Sequence, residues 1–478
     1  MVPAAAAPAE VQAAVPGVVP AAVQAVPVPR AEGGTGAREH AASSTVCAAR
    51  FAVWGSYADM PDLVRTITAL GARHHRAPDP RLGHLTTGKA PHAIALQGAA
   101  RIGPALQTVM PGWGLTVVPD AAPPDMPAST IRQSGPRHYE FRSWWGGAPL
   151  TGMGLAGATC GAVADLCQSY CDNRPGILGL HCGAVRIGTH LVAFTGPYRA
   201  GKTTLVTRLG ADPDVTLFCD DVLPVLPDGQ AVALGIQPRL RLPLPGGMSP
   251  AFRRHVARNL TIRDRRYGYV RTLHQAPHGT RAPLTALIVL SRQDDGPARL
   301  HHMQPGDAAA HLIRQNLADP GETETHYDRL AAMVERLFCL TLVYSDLEDA
   351  VALIRRTFDS ARLPAPGIEI GPPLPPAPLE SPAPAADLRQ TFHRAQDVTD
   401  RVIGGDTFLW QMAGRNFFRL NPVAGAAWTL LECSTTGARI AATLTEVFPD
   451  TPPERISGDL ADLLGHMMSR DLIRATNR

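Results

Sequence analysis

Lysine is nearly absent from this chain. Lys89 and Lys202 are the only two among 45 basic residues in a sequence of 478, so arginine carries the rest of the positive charge. Any chemistry that needs an ammonium group therefore falls to one of two positions. Net charge is small as well, +3, which gives no electrostatic case for a nucleic-acid partner or an anionic membrane. The eight cysteines (Cys47, Cys160, Cys167, Cys171, Cys182, Cys219, Cys339, Cys433) lack the paired spacing of a zinc site and read as buried thiols in a reducing cytoplasm. Cys167 and Cys171 lie four apart on an expected helix, but two thiols alone do not make a metal site. Long apolar runs are missing too. Stretches such as residues 284–290 have strand length, so no membrane span is expected. Residues 1–45, mostly Ala, Pro, Val and Gly, have neither a basic start nor an unbroken apolar core and read as a disordered tail, not a secretory signal.

What is present points to a multidomain α/β protein. A hydrophobic content of 45% with 18% charge is globular, and the length exceeds what one core supports. Residues 46–150 carry short apolar stretches (92–97, 115–119, 138–145) between Pro and Gly clusters, which suggests a mainly β region. Val163, Leu166, Cys167 and Tyr170 follow helical spacing and lead into residues 151–360, where strand, glycine loop, helix and strand alternate. Nine prolines between Pro364 and Pro384 predict an extended, unpacked spacer over residues 361–388. Residues 389–478 then form a separate α+β unit of winged-helix size. Its expected elements are a hairpin (407–412 and 416–420, turning at Gly414 and Arg415) and helices near 424–431, 438–448 and 453–470.

One motif carries chemistry. Gly196-Pro197-Tyr198-Arg199-Ala200-Gly201-Lys202-Thr203 is a full Gly-x4-Gly-Lys-Thr match between an apolar strand (191–194) and a helical pattern that opens near Thr204. The glycines let successive backbone N–H groups curl toward phosphate oxygens, and the helix start adds positive potential at the same point. Lys202 offsets phosphate charge, and the Thr203 hydroxyl suits Mg²⁺. Downstream, the apolar run 215–219 ends in Asp220 and Asp221, a strand that would deliver its carboxylates to the sheet edge beside the loop. One acid can hold the metal while the second accepts a proton from an attacking hydroxyl. ATP and Mg²⁺ are thus the expected cofactors.

The order Leu180-His181-Cys-Gly-Ala-Val-Arg-Ile, then the glycine loop, then Phe218-Cys-Asp220-Asp221-Val resembles the catalytic domain of the HPr serine kinase/phosphorylase family. By that resemblance Asp221 takes the proton from the substrate hydroxyl, Asp220 lies near the metal and His181 assists at the γ-phosphate. The family's glutamate signature is replaced by residues 233–242, which hold no carboxylate, so neither a second acidic metal ligand nor reverse phosphorolysis is implied, and HPr itself is not the expected target. The shorter HPr-kinase-like proteins of peptide biosynthesis clusters are closer. Arginines 253, 254, 258, 263, 265, 266 and 271 follow, of which Arg266 is the candidate clamp for phosphoryl oxygens.

The hairpin 407–420, the turn Leu420-Asn421-Pro422 and the helices after it resemble PqqD-like proteins, small modules that recognise leader peptides of ribosomally made, modified peptides. The implied partner is a precursor peptide that adds a strand to the hairpin edge. Together these readings predict a cytoplasmic Ser/Thr peptide kinase with no nucleic-acid or membrane partner, its oligomeric state left open. The alternatives are an HPr-kinase-like regulatory protein kinase, a small-molecule P-loop enzyme and a nucleotide-gated, non-catalytic peptide carrier.

Overall fold

The computed structural model describes residues 23–26, 82–118, 126–197, 199–319, 321–375, 384–411 and 416–476. Apart from the strand β1 (Val23–Val26), the tail expected over residues 1–45 lies outside the described residues, as do Tyr198 and the hairpin turn at Gly414 and Arg415.

The first full sheet has six strands: β2 (Leu82–Thr87), β3 (Ala90–Gln97), β4 (Thr116–Val118), β5 (Ala128–Gly135), β6 (His138–Arg142) and β7 (Leu150–Met153), in the order β4-β2-β3-β5-β6-β7. Period-two alternation sets its buried face; in β6, Tyr139 and Phe141 point inward while His138 and Arg142 are exposed. Two helices complete the unit. The short α1 (Ile102–Val109) was not legible as a helix, because its Gly and Pro read as breakers; Pro104 sits in the first turn, where a missing N–H costs nothing. The helix expected from the 163–170 stripe is α2 (Leu155–Asp172), and it packs on this sheet so closely that a Cβ at Gly161 would sit 3.0 Å from the Phe141 ring. Cys167 and Cys171 belong to that core, where burial pushes the Cys171 thiol up to about 12. The boundary expected at residue 150 thus falls at the start of a strand of this sheet.

The central sheet has seven strands, β8 (Leu178–Ile187), β9 (His190–Thr195), β10 (Val215–Val225), β11 (Gln230–Val232), β15 (Arg281–Arg292), β16 (Arg299–His302) and β17 (Phe338–Tyr344), in the order β11-β10-β8-β9-β15-β17-β16. Three short strands, β12 (Arg239–Arg241), β13 (Leu260–Arg263) and β14 (Tyr267–Val270), form a separate sheet in between. β15 runs parallel to β9 and β17, and β8 is antiparallel to both β9 and β10. Both faces are covered. Leu178, Leu180, Cys182 and Ala184 of β8 face α5 (Pro305–Gln315) and α6 (Thr323–Arg336). Val185 and Ile187 face α3 (Lys202–Leu209), α4 (Pro250–Asn259) and α7 (Leu347–Phe358).

Of the spacer expected over residues 361–388, residues 376–383 lie outside the described residues, and the part before them packs on the protein. Leu363, Ile368 and Ile370 pack on the central core, and Gly371 exchanges backbone hydrogen bonds with Leu300 and His302 at the edge strand β16. Isoleucines between the prolines supply apolar surface that a solvated spacer would leave exposed.

The last unit holds β18 (Thr391–Arg394), β19 (Val398–Ile403), β20 (Asp406–Gln411), β21 (Asn416–Leu420), β22 (Thr435–Thr436) and β23 (Ile473–Thr476), with α8 (Pro422–Leu430), α9 (Gly437–Val447) and α10 (Pro453–Ser469). The expected hairpin and three helices are present within a residue or two. No apolar alternation marks β19 in the sequence, because its Thr399, Asp400 and Arg401 lie exposed. This unit is docked on the central domain, not held at the end of a free tether. Ile403, Phe408 and Phe417 enter the same core as Leu312, Tyr327 and Leu330. Arg419 bridges Asp307 of α5 and Asp406 of β20, and Arg401 pairs with Asp328 of α6.

Candidate functional site

β9 is buried along its whole length and ends in the glycine loop. The loop is built for close approach. Gly196 has φ 147°, Arg199 φ 67° and Gly201 φ 96°. A Cβ on Gly196 would lie 2.9 Å from the Leu290 carbonyl oxygen, and one on Gly201 would lie 2.5 Å from the Tyr344 hydroxyl. Glycine is therefore required at both positions by backbone angle and by space. Tyr344 in turn donates to the Ala200 carbonyl at 2.7 Å, tying the loop to β17. α3 starts at Lys202 with no side-chain cap, so its first N–H groups remain available for an anion. Lys202 folds back along the loop and donates to the Gly196 carbonyl at 3.1 Å. Burial holds its ammonium below the usual lysine range, with Asp221 and Asp220 opposing that effect.

The acids reach the loop differently from the expected route. β10 does not end at the pair but continues to Val225, antiparallel to β8, so Asp220 and Asp221 are mid-strand residues. Consecutive strand residues point to opposite faces. Here a register shift between Leu217 and Cys219 and the positive φ of Asp221, 101°, break that rule and bring both carboxylates toward the loop. A non-glycine residue in that region is strained, and such strain concentrates at functional sites. Asp220 accepts from the Arg239 backbone N–H at 3.0 Å and from the Thr203 hydroxyl. His181, opposite Val222 on β8, holds Asp221 through Nε2 at 3.1 Å from Oδ1.

The two carboxyls are driven apart in acidity. Burial, then the charge of Asp221, pushes Asp220 up to about 6. Burial also works against an ionised Asp221, but the hydrogen bond and electrostatic attraction of His181, with the charges of Arg239 and Lys202, outweigh it and hold this carboxyl below its usual range. Asp221 therefore stays an anion that can accept a proton. Asp220 makes a separate pH prediction. Its folded-state proton is held to higher pH than in the unfolded chain, so stability is lost as pH rises from the ordinary carboxylate range through about 6. Metal-free melts from pH 4 to 8 should show that decline in the native chain and a flatter profile for Asp220→Asn; identical profiles would refute it.

A cavity of about 430 Å³ opens over the loop, lined by Arg199 to Thr204, His181 and Asp221, with Arg239, Arg241 and Arg292 on its walls. Nothing in the sequence singles out the three wall arginines, because they sit in unremarkable strands and only the tertiary fold brings them to the loop. Arg239 also stacks over the Tyr267 ring at 4.4 Å, which fixes its position. Arg266, expected at the phosphoryl oxygens, is placed elsewhere. It lines a different cavity of about 890 Å³, with Arg101, Arg137, Arg263 and Arg265, and not the one at the loop. The β13–β14 turn that carries it packs against the start of α2, where the Asp264 carboxylate accepts from the Gly157 N–H at 2.9 Å.

The residues present fit a nucleotide with Mg²⁺: two glycines whose side-chain space is filled, an uncapped helix start, one ammonium group, and a hydroxyl bonded to a carboxylate. Among the described residues, no group of three His, Cys, Asp or Glu residues is placed to hold a metal by itself. A Mg²⁺ ion does not need one, since it keeps waters and phosphate oxygens in its shell. No helix among the described residues is long and apolar enough to cross a membrane.

Comparison with known proteins assigns one part of the chain. Residues 407–473 match the family model described as "Coenzyme PQQ synthesis protein D (PqqD)". Among solved structures, "TbiB1 in Complex with the TbiA(beta) Leader Peptide" is 19% identical over 18% of this chain and 99% of that chain, with a TM-score of 0.17. Curated proteins yield no match.

Proposed function

With residues 407–473 forming a PqqD domain, we propose that this chain is an ATP-dependent kinase that phosphorylates a Ser or Thr hydroxyl of a precursor peptide held by that domain. The observation that carries the catalytic half is the pairing of His181 with Asp221 beside Lys202, an ionised carboxylate next to a phosphate cradle. ATP with Mg²⁺ supplies a transferable phosphoryl group. The N–H groups at the start of α3 and the Lys202 ammonium hold the phosphates. Thr203 and Asp220 hold the metal. Asp221 accepts the proton of the attacking hydroxyl as that oxygen bonds the γ-phosphorus and the bond to the departing ADP oxygen breaks, and His181 keeps the carboxylate oriented. Arg239, Arg241 and Arg292, which line the cavity, stabilise negative charge there, the role expected of Arg266.

The peptide half rests on the family match and on general β-strand addition, in which main-chain hydrogen bonds at a sheet edge give affinity. Capture on the same chain raises the local concentration of the target hydroxyl, so tight recognition around the modified residue is not needed. The test is transfer of labelled γ-phosphate from ATP to a precursor peptide encoded beside this gene. Mg²⁺-dependent labelling of Ser or Thr is expected. ATP that binds but is never consumed, in a chain that still binds the peptide, would replace this reading with that of a non-catalytic carrier.

A further inference from the structure

The edge of the PqqD domain's sheet is already occupied, by this chain's own β1. Its sheet runs β1-β21-β20-β19, and β1 pairs antiparallel with β21: Val23 opposite Leu420, Gln24 opposite Arg419, Ala25 opposite Phe418, Val26 opposite Phe417. Both faces of β21 are committed elsewhere. Phe418 and Leu420 enter the domain's own core, while Phe417 stacks near Tyr327 and Arg419 bridges to Asp307 on the central domain. What β21 offers another strand is therefore its row of backbone N–H and C=O groups. The opposite edge, β19, carries exposed Asp400 and Arg401, the kind of charged strand that discourages pairing. β1 also lies against α10, so it sits in the notch between sheet edge and helix.

We propose that residues 23–26 are an internal occupant of the peptide site, which a precursor peptide must displace before it can add its own strand. This inference rests on the peptide-binding reading above. The local sequence suits a replaceable strand. Pro20, Pro27 and Pro29 bracket the segment in the sequence, and proline, which cannot donate to a ladder and fixes φ, disfavours a long pairing. A tethered strand has the advantage of a high effective concentration, so a short, weak pairing is enough to fill the edge and set a threshold for an incoming peptide.

The test uses the full chain and the double variant Gln24→Pro/Ala25→Pro. Alternate residues of a strand direct their N–H groups to a given neighbour, so changing two adjacent residues removes at least one bond to β21. The probe is a fluorescein-labelled synthetic peptide of residues 18–30 of this chain, followed by anisotropy, with hydrogen exchange at Asn416–Leu420 as a second readout. The variant is expected to bind the probe at least about tenfold more tightly than the native chain and to exchange its β21 amides faster when the probe is absent. Equal binding by the two forms, no binding by the variant, or unchanged exchange would each overturn the internal occupant. The precursor peptide separates this from the wider reading. If both forms bind it equally tightly, the occupant fails and the peptide-binding reading stands. If neither binds it while the variant still captures the probe, the occupant stands and the precursor reading fails.

Discussion

Asp221→Asn is expected to lower phosphate transfer about 10³-fold, some 4 kcal/mol in transition-state free energy, while leaving nucleotide binding intact. Asparagine has nearly the same shape, keeps an oxygen for the hydrogen bond from His181 and is among the few residues that tolerate the backbone conformation found here, φ 101°. Folding should thus be preserved. What the amide cannot do is accept a proton. Removing a negative charge near Lys202 should leave the affinity for triphosphate equal or slightly higher, since that carboxylate stands close to where phosphate charge would lie. The two quantities are measured separately, transfer with labelled ATP under single-turnover conditions and binding by titration with a fluorescent nucleotide. Loss of both together would mean that Asp221 shapes the cradle; an unchanged transfer rate would remove it from the chemistry. His181→Gln is the companion variant. It keeps a donor near Asp221 but loses the imidazole's share in holding that carboxyl low, so its effect should be smaller and should shift the pH at which activity falls on the acid side upward.

Arg419→Met is expected to destabilise the chain by about 3 kcal/mol and to loosen the PqqD domain from the central domain. Arg419 is largely buried and donates to Asp406, which is 9% exposed, at 2.5 Å. Burial already pushes the Asp406 carboxyl above its usual range despite the guanidinium beside it. Taking away the positive partner leaves a buried acid that must either stay charged without a partner or bind a proton. The sign follows from linkage. With its folded-state pKa raised further, Asp406 costs most at neutral pH, and the penalty shrinks as pH falls toward the ordinary carboxylate range. Asp307 contributes less, because it is 37% exposed and water screens it. Thermal melts at pH 5 and pH 7.5 measure the difference. Adding Asp406→Asn to the variant should recover a large part of the loss, since the uncompensated charge is then gone. A variant as stable as the native chain at pH 7.5 would show that the apolar contacts of Phe408, Phe417 and Tyr327 hold this interface without the ion pair.

These two experiments address the two halves of the molecule, and they draw on different kinds of information. The glycine loop, its lysine and the strand and helix around it were legible because local backbone demands write themselves into adjacent residues: two glycines at required positive φ, one of two lysines in the chain, an apolar run before and a helical pattern after. The hairpin and helices of the PqqD domain were legible for the same reason, through alternation and helical spacing. Strands with mixed or charged faces, such as β19, left no comparable mark.

By itself the sequence determined where a glycine loop joins an apolar strand to a helix, which two acids follow it, and that a hairpin and three helices lie beyond residue 400. Only the tertiary structure decided that Asp220 and Asp221 sit in mid-strand and reach the loop through a register shift and a strained backbone, that Arg239, Arg241 and Arg292 rather than Arg266 wall the cavity, that Gly371 bonds to the edge strand β16, and that β1 pairs along the edge of β21. The physical reason is range. Turn chemistry and periodicity act between residues a few positions apart, whereas these placements arise from contacts between segments tens to hundreds of residues distant, whose free energy depends on surfaces that exist only once the chain has packed.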